Sequence, residues 1–411
     1  MKKFLKKRTF LIILGLAFLL IAWNREINLL YGMFALIVST LILSHLLPRI
    51  ALRGVTAKRT LEATAFEGDE MHLRVSVENR SWTTRFMLEV LDLIPAAPPG
   101  SQNPMTFLAK LPRRKERKYS YALPCYKRGE YKVGPLSIQS AYPLGISNID
   151  REMSESMLNL LVYPEIFEIA RLSLMGIGSK PISGVEAVSR AGVGEDFFGI
   201  REYKTGDSLR YIHWPSTAKH RRLIVKEFEA RASVEATIFL DLYKGSDIGE
   251  GKETTLEYAV KIAASVGKVL LEKGHSLQLI GYGLKNHIVP FARGLNQLMK
   301  ILEELARVKA NGNIPYPQML CQASDLLRDG GSAVLIFSRL DLNAEDSLYA
   351  LRLLRAKRIR PVCILIDHTT FMDGKGNLSP ETKPFVQELM SQGIPLYFVS
   401  KGESLSNIFE A

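Results

Sequence analysis

At 411 residues the chain is too long for one ordinary domain and suggests two or three. Its three cysteines, Cys125, Cys321 and Cys363, are odd in number and far apart; the absence of any CxxC or Cys/His spacing argues against a disulfide framework and a thiolate zinc site and fits a reducing compartment. A formal net charge of +12 is compatible with nucleic acid, an anionic membrane or plain solubility, so its position along the chain has to decide.

Much of the basic excess flanks apolar runs, at Lys2, Lys3, Lys6, Lys7 and Arg8 and then at Arg49, Arg53, Lys58 and Arg59, which reads as juxtamembrane charge. A further basic cluster, 110–118, has no interleaved aromatic residues, so no nucleic-acid partner is expected. Residues 9–23 and 27–47 are apolar and are separated by the polar break Asn24, Arg25, Glu26. About 20 residues cross a hydrocarbon layer, a length the second run meets and the first meets with Phe4 and Leu5 included. Residues 1–50 therefore predict a two-helix transmembrane anchor. Positive charge at both outer ends places both termini and the soluble part in the cytoplasm, at the inner membrane. A cleaved signal peptide is the competing reading. A second long run directly after the first, and the lack of a small-x-small site near Trp23, argue against it. Trp23 and Tyr31 are candidate interface residues.

Residues 51–165 change to short alternating segments. Met71, Leu73, Val75 and Val77 share one face, the period of a half-buried strand, between turn signals at 67–69 and 78–81. Further strands are expected at 86–91, 117–123, 129–133 and 158–163, a density that suggests an all-β immunoglobulin-like sandwich. Pro95, Pro98 and Pro99 make 95–100 an exposed connection, because proline donates no ladder hydrogen bond.

Residues 166–232 form a connector and a charged motif. Glycines at 176, 178, 184, 192 and 194, with Pro181 and several serines, mark a loop, and Gly176 to Lys180 lacks the GxxxxGK[ST] spacing that cradles phosphate. In the motif, Thr205, Gly206 and Asp207 read as a tight turn with Asp207 capping the next few residues. Glu195, Asp196, Glu202 and Asp207 alternate with Arg201, Lys204, Arg210, Lys219, Arg221 and Arg222. Such mixed charge favours an ion-pair network or a docking surface, with Tyr203, Tyr211 and Trp214 packing. The alternative is a metal-assisted hydrolase with Glu195, Glu202 or Asp207 as base and His213 or His220 as its partner. No nucleophile motif accompanies them and the histidines lack HExxH spacing, so no catalytic residue is assigned.

Gly194-Glu195, Arg201-Glu202-Tyr203, Gly206-Asp207, Arg210, Ile212, Trp214, Ala218-Lys219, Leu223, Val225-Lys226 and Phe228 together resemble the signature of the bacterial family known as domain of unknown function 58. Upstream, 126–135, Tyr142-Pro-Leu-Gly145 and Val162-Tyr-Pro-Glu165 resemble the segment leading into it. The usual Asp-Pro-Phe-Gly has Tyr142 and Leu144 at its first and third positions here, and Lys219 stands where arginine is commoner. The resemblance implies a membrane-anchored protein working with a MoxR-type AAA+ ATPase, and it implies no enzymatic activity. The signature or partner-binding candidates are Glu195, Arg201, Glu202, Tyr203, Gly206, Asp207, Arg210, Trp214 and Lys219.

Residues 233–411 alternate strand and helix. Strands are expected at 234–241, 276–283, 287–291, 333–338, 361–366 and 395–399, and helices at 255–273, 295–308, 317–328, 344–356 and 380–391. Leu298, Ile301, Leu302 and Leu305 make one helical stripe, and apolar strands such as 333–337 indicate a buried parallel sheet. This doubly wound α/β order, with one antiparallel hairpin, is similar to the von Willebrand factor A fold. That fold's metal site needs Asp-x-Ser-x-Ser to give hard oxygen ligands to magnesium. Here Asp241, Tyr243 and Gly245 stand at those positions, with Ser246 and Asp341 as neighbours, so Asp241 is the candidate metal residue of a site that has lost both hydroxyls. A domain that docks its partner without an ion is the expectation.

Overall fold

The computed structural model describes residues 2–169, 197–204, 207–228, 234–339, 344–372 and 382–409. The apolar N-terminal runs form helices α1 (Lys2–Arg25) and α2 (Asn28–Leu52), with the reversal at Glu26, whose φ of 54° is left-handed. Both are long and apolar enough to cross a membrane, with mean hydropathies of 1.5 over Lys7–Arg25 and 2.0 over Asn28–Leu52. Phe10, Leu16, Leu20, Leu29 and Leu36 lie exposed on them, an arrangement unfavourable in water and neutral in hydrocarbon. Pro48 does not end α2, whose last turn buries Ala51 and Leu52 in the core of the following region.

The chain divides into two compact units, Met1–Glu165 with Leu305–Arg307, and Ile166–Glu304 with Val308–Ala411. Beyond the helices the first unit is β-rich, comprising β1 (Val55–Thr60), β2 (Thr64–Phe66), β3 (Glu70–Asn79), β4 (Arg85–Asp92), β5 (Met105–Leu111), β6 (Glu116–Pro124), β7 (Gly129–Val133), β8 (Leu136–Ser140), β9 (Ile149–Met153) and β10 (Leu158–Tyr163). They form sheets β1-β3-β6, β2-β10-β7 and β5-β4-β8-β9, antiparallel except for β2 with β10. Met71, Leu73, Val75 and Val77 are buried on one face of β3, as the alternation requires. Arg59 corrects the sequence reading. It is not a juxtamembrane cation but a core residue, paired with Asp92 and donating from Nη2 to the carbonyls of Val133 (3.0 Å) and Ser156 (2.6 Å). Desolvation raises the Asp92 carboxyl, against the lowering effects of Tyr121 and Arg59.

The second unit begins, within the described residues, with β11 (Phe197–Glu202), α3 (Trp214–His220) and β12 (Ile224–Phe228). Next come β13 (Glu235–Leu240), the small hairpin β14 (Gly249–Glu250) and β15 (Glu253–Thr254), α4 (Thr255–Glu272), β16 (Ser276–Tyr282), β17 (Asn286–Ala292), α5 (Leu295–Arg307), α6 (Tyr316–Ala323), β18 (Ser332–Phe337), α7 (Ala344–Ala356), β19 (Arg360–Ile366), α8 (Thr369–Met372), α9 (Thr382–Ser391), β20 (Leu396–Val399) and α10 (Leu405–Ile408). Six strands make one sheet in the order β17-β16-β13-β18-β19-β20, parallel except for β17. β13 and β18 are buried on both faces, which is why they read as unbroken apolar sequence. Thr254 caps α4 by accepting from the Glu257 amide at 3.3 Å, the first half of a capping box. Because the chain crosses from β13 to β16 on one side and returns to β18 on the other, the carboxyl ends of β13 and β18 bound the crevice where open α/β sheets place their ligands.

Candidate functional site

The charged motif folds as an antiparallel hairpin, β11 with β12, whose connection carries a short 3-10 turn (Leu209–Tyr211) and α3. Its apolar residues Ile212, Ile224 and Val225 turn inward and are buried. Backbone bonds from Tyr203 N to Leu223 O (2.9 Å) and from His213 N to Ile224 O (2.8 Å) close the loop, and Thr217 Oγ1 accepts from Ile224 N at 3.1 Å, lashing α3 to β12.

Arg201 and Asp207 hold the connection from inside. The guanidinium donates through both terminal nitrogens to the two carboxylate oxygens, at 2.6 and 2.8 Å, and Lys204 N adds a third bond to Asp207 Oδ2 at 2.8 Å. This is the planar two-point pairing that only arginine offers. The carboxylate therefore points back to Lys204, not forward as a cap, and the adjoining 3-10 turn has no side-chain cap. Arg201 first, then the Lys204 amide, pull the Asp207 carboxyl down to about 2. A carboxylate so committed is a weak base at neutral pH. Glu202 pairs with Arg222 instead.

What the hairpin leaves outward is one aromatic and several cations. Trp214 is 66% exposed at the start of α3, and Arg210, Lys219, His220 and Arg221 are exposed around the same connection. Glu195 and Gly206 lie outside the described residues. Of the remaining signature residues, Arg201 and Asp207 come into direct contact, Glu202 and Tyr203 belong to the strand end, and Arg210, Trp214 and Lys219 face out.

The second candidate, Asp241, lies just beyond β13 at the crevice. It is buried, accepts from Tyr243 N at 3.1 Å, and burial pushes its carboxyl up to about 7. Tyr243, Ser246, Tyr316, Phe337, Arg339 and Ser347 line the cleft with it. Ser246 donates to the Tyr243 carbonyl at 2.8 Å, and Arg339 donates to the Gly245 carbonyl at 3.2 Å, bringing a cation to the loop. Asp341 lies outside the described residues, among which there is no group of three or more His, Cys, Asp or Glu side chains able to hold a metal. Among the described residues the cleft offers one carboxylate, the Ser246 and Ser347 hydroxyls and a guanidinium. Sequence reading missed Tyr316, which bridges the two central strands by donating to Phe239 O and accepting from Ile336 N, both at 3.1 Å. It also missed Ser338, whose buried hydroxyl has no hydrogen-bond partner among the described residues. An isolated tyrosine before a proline, and a serine closing an apolar strand, carry no motif that could have flagged either.

Residues 199–359 match the family model described as Protein of unknown function DUF58. The match takes in the hairpin from its first strand and runs through β18 and α7. Uncharacterized protein YeaD of Bacillus subtilis (strain 168) is 22% identical over 271 residues, which span 64% of this chain and 64% of that protein. Among solved structures, the CARDB domain of the PF1109 protein from Pyrococcus furiosus covers 26% of this chain and 91% of its own length at 11% identity, with a TM-score of 0.21. A beta-glucosidase from Listeria innocua covers 24% of this chain and 16% of its own at 14% identity, with a TM-score of 0.16. Likenesses at such TM-scores bear on neither fold nor function.

Proposed function

We propose that this chain is a membrane-anchored adaptor that uses the charged hairpin to dock a AAA+ ATPase of the MoxR type, or its client, in protein maturation or complex assembly. The observation that carries the reading is the division of labour in the hairpin. Arg201 and Asp207 are spent on each other, while Trp214, Arg210 and Lys219 are exposed in the same connection. An exposed tryptophan in a connection that also exposes arginine and lysine is a binding anchor for a partly acidic protein surface, and it is not a reaction centre. The ATPase partner comes from the sequence resemblance. In this reading α1 and α2 cross the inner membrane with both soluble units on its cytoplasmic side, supported by the basic residues at both outer ends. The β-rich region is taken as an immunoglobulin-like sandwich. The α/β region is taken as a von Willebrand factor A-like domain, supported by the β17-β16-β13-β18-β19-β20 order with its one antiparallel edge. The domain is taken to work without a resident ion, since Tyr243 and Gly245 stand where the metal site needs its two hydroxyls.

The test is co-purification of the full-length chain, from membranes, with the MoxR-type ATPase of the same cell. Enrichment is expected for the native chain, a loss of several-fold for Trp214→Ala, and complete loss for Arg201→Ala, which unlocks the hairpin. If the ATPase is no more enriched than with a chain lacking residues 197–228, the adaptor reading is wrong.

A further inference from the structure

One end of the β-rich region has so far no role, although it gathers the basic cluster at 110–118 and the most exposed tryptophan of the soluble regions. Strand register identifies that end. Val55 pairs with Asn79, Glu78 with Glu116, Arg85 with Leu111, and Leu88 with Ser140. The loops 80–84, 112–115 and 141–148 therefore emerge on the same side as the chain's exit from α2.

Hydrogen bonds tie the first loop to that exit, the second to the first, and the third to the two helices. Arg80 N donates to Gly54 O at 2.8 Å, and the buried Asn79 amide bonds the carbonyls of Thr83, Leu111 and Pro112 at 2.9 to 3.1 Å, joining the first two loops. The third reaches lower. Lys7 Nζ donates to Gly145 O, and the Ser44 and Ser147 hydroxyls meet, each at 3.5 Å. Ser44 lies five residues before Arg49, roughly 7 Å along the helix axis at 1.5 Å per residue. Lys7 and Ser44 thus mark the same level on the two antiparallel helices, Lys7 at the start of the apolar window of α1 and Ser44 in the last third of that of α2.

The side chains offered there suit a lipid headgroup layer. Trp82 is 73% exposed with the Arg114 guanidinium 3.8 Å over its ring, and Leu144 and Met87 are half exposed. Arg113, Arg114 and Lys115 are exposed, and the three loops contain no acidic residue. Glu78 and Glu116, at the adjoining strand ends, pair with Arg80 (2.9 Å) and Lys118 (3.3 Å). Tryptophan with arginine and lysine is the combination that anchors protein at the interface of an anionic bilayer.

We propose that this end of the β-rich region docks on the anionic headgroup layer of the bilayer that α1 and α2 cross, with Trp82 and Leu144 inserted and Arg113, Arg114 and Lys115 on phosphates. The inference rests on the membrane-spanning reading of the two helices. It makes the region a foot standing on the membrane and not a free spacer.

The full-length chain is assembled in nanodiscs of phosphatidylcholine, with or without phosphatidylglycerol, using acyl chains brominated near the headgroup or near the tail. The chain has three tryptophans, so Trp23→Phe/Trp214→Phe leaves Trp82 as the sole emitter, and Trp82→Phe/Trp214→Phe leaves Trp23. Trp82 emission is expected to be lost most with bromine near the headgroup and more strongly when phosphatidylglycerol is present. Arg113→Gln/Lys115→Gln, which spares the Arg114 stack, removes that dependence on lipid charge. Quenching of Trp23 without quenching of Trp82 overturns this proposal and leaves the spanning reading standing. A lack of quenching at both overturns both. Trp82 emission that is blue-shifted yet unquenched means that protein, not lipid, covers the loops, and likewise overturns it.

Discussion

Asp207 and Asp241 are carboxylates of one unit driven in opposite directions by their surroundings. Asp207 is held down to about 2 by Arg201, so its contribution to stability is present above the ordinary carboxylate range and lost as pH falls through about 2. Asp241 is pushed up to about 7 by burial, so the folded chain holds a proton there that the unfolded chain has already released. Stability therefore falls as pH rises from about 4 to about 7, and above that the fold carries a buried charge. Asp241→Asn keeps an acceptor for Tyr243 N and removes the charge. It is expected to raise the thermal midpoint of the detergent-solubilised chain at pH 8, by the equivalent of a few kcal/mol, and to flatten its decline between pH 5 and 8. Magnesium is expected to leave the native midpoint unchanged. A rise with magnesium that Asp241→Asn abolishes would establish an ion site and refute the ion-free reading. The Asp-x-Tyr-x-Gly spacing made Asp241 visible in the sequence. The direction of the Asp207 carboxylate was not visible, because a cap and a back-turned ion pair differ only in the backbone path.

At the level of elements, long buried strands and helices were legible because burial on both faces leaves an unmistakable apolar run. α7 begins and ends where the sequence reading put it, at Ala344 and Ala356, and β10 matches its expected span of 158–163. β5 and β8 were missed. β5 has only Leu111 buried and so shows no core-facing alternation, whereas β8 alternates as fully as its length allows and was simply not read. The loop after β13 owes its position to a contact equally absent from the local sequence. Gly312 N donates to Leu242 O at 2.8 Å and Lys244 N to Gly312 O at 2.9 Å, stapling the Asp241 loop beside Tyr282. A Cβ at Gly312 would lie 2.2 Å from the Tyr282 carbonyl oxygen and 2.9 Å from that of Leu242, both backbone atoms that cannot swing aside. Gly312→Ala is thus expected to cost about 1 to 3 kcal/mol in stability. It should also raise amide exchange in 241–247 above the rest of the α/β unit. Unchanged exchange there would mean the loop is held by other contacts.

For the whole molecule, composition located the two long apolar helices, but not how the second joins the β-rich region. Hydropathy ends the apolar run at Leu47, whereas α2 continues through Pro48 to Leu52. Leu52, 4% exposed, packs with Val55, Val75, Val77, Leu88, Leu136 and Ile138. The apolar helix is thus also a piece of the core of the β-rich region, and its last turn is fixed by packing. Two shortened chains separate the roles, since both lack the apolar spans but one begins at Arg49 and the other at Gly54. The longer keeps Ala51 and Leu52 in the core, and the shorter leaves the cavity of a missing leucine, a loss of about 2 to 5 kcal/mol for such a side chain. The shorter chain is expected to unfold at lower temperature and to aggregate sooner, and Leu52→Ala in the full-length chain should reproduce most of the difference. Equal midpoints for the two shortened chains would mean that the helix end is only a tether. Loops 80–84 and 112–115 would then lose the rigid link that aims them at the headgroups.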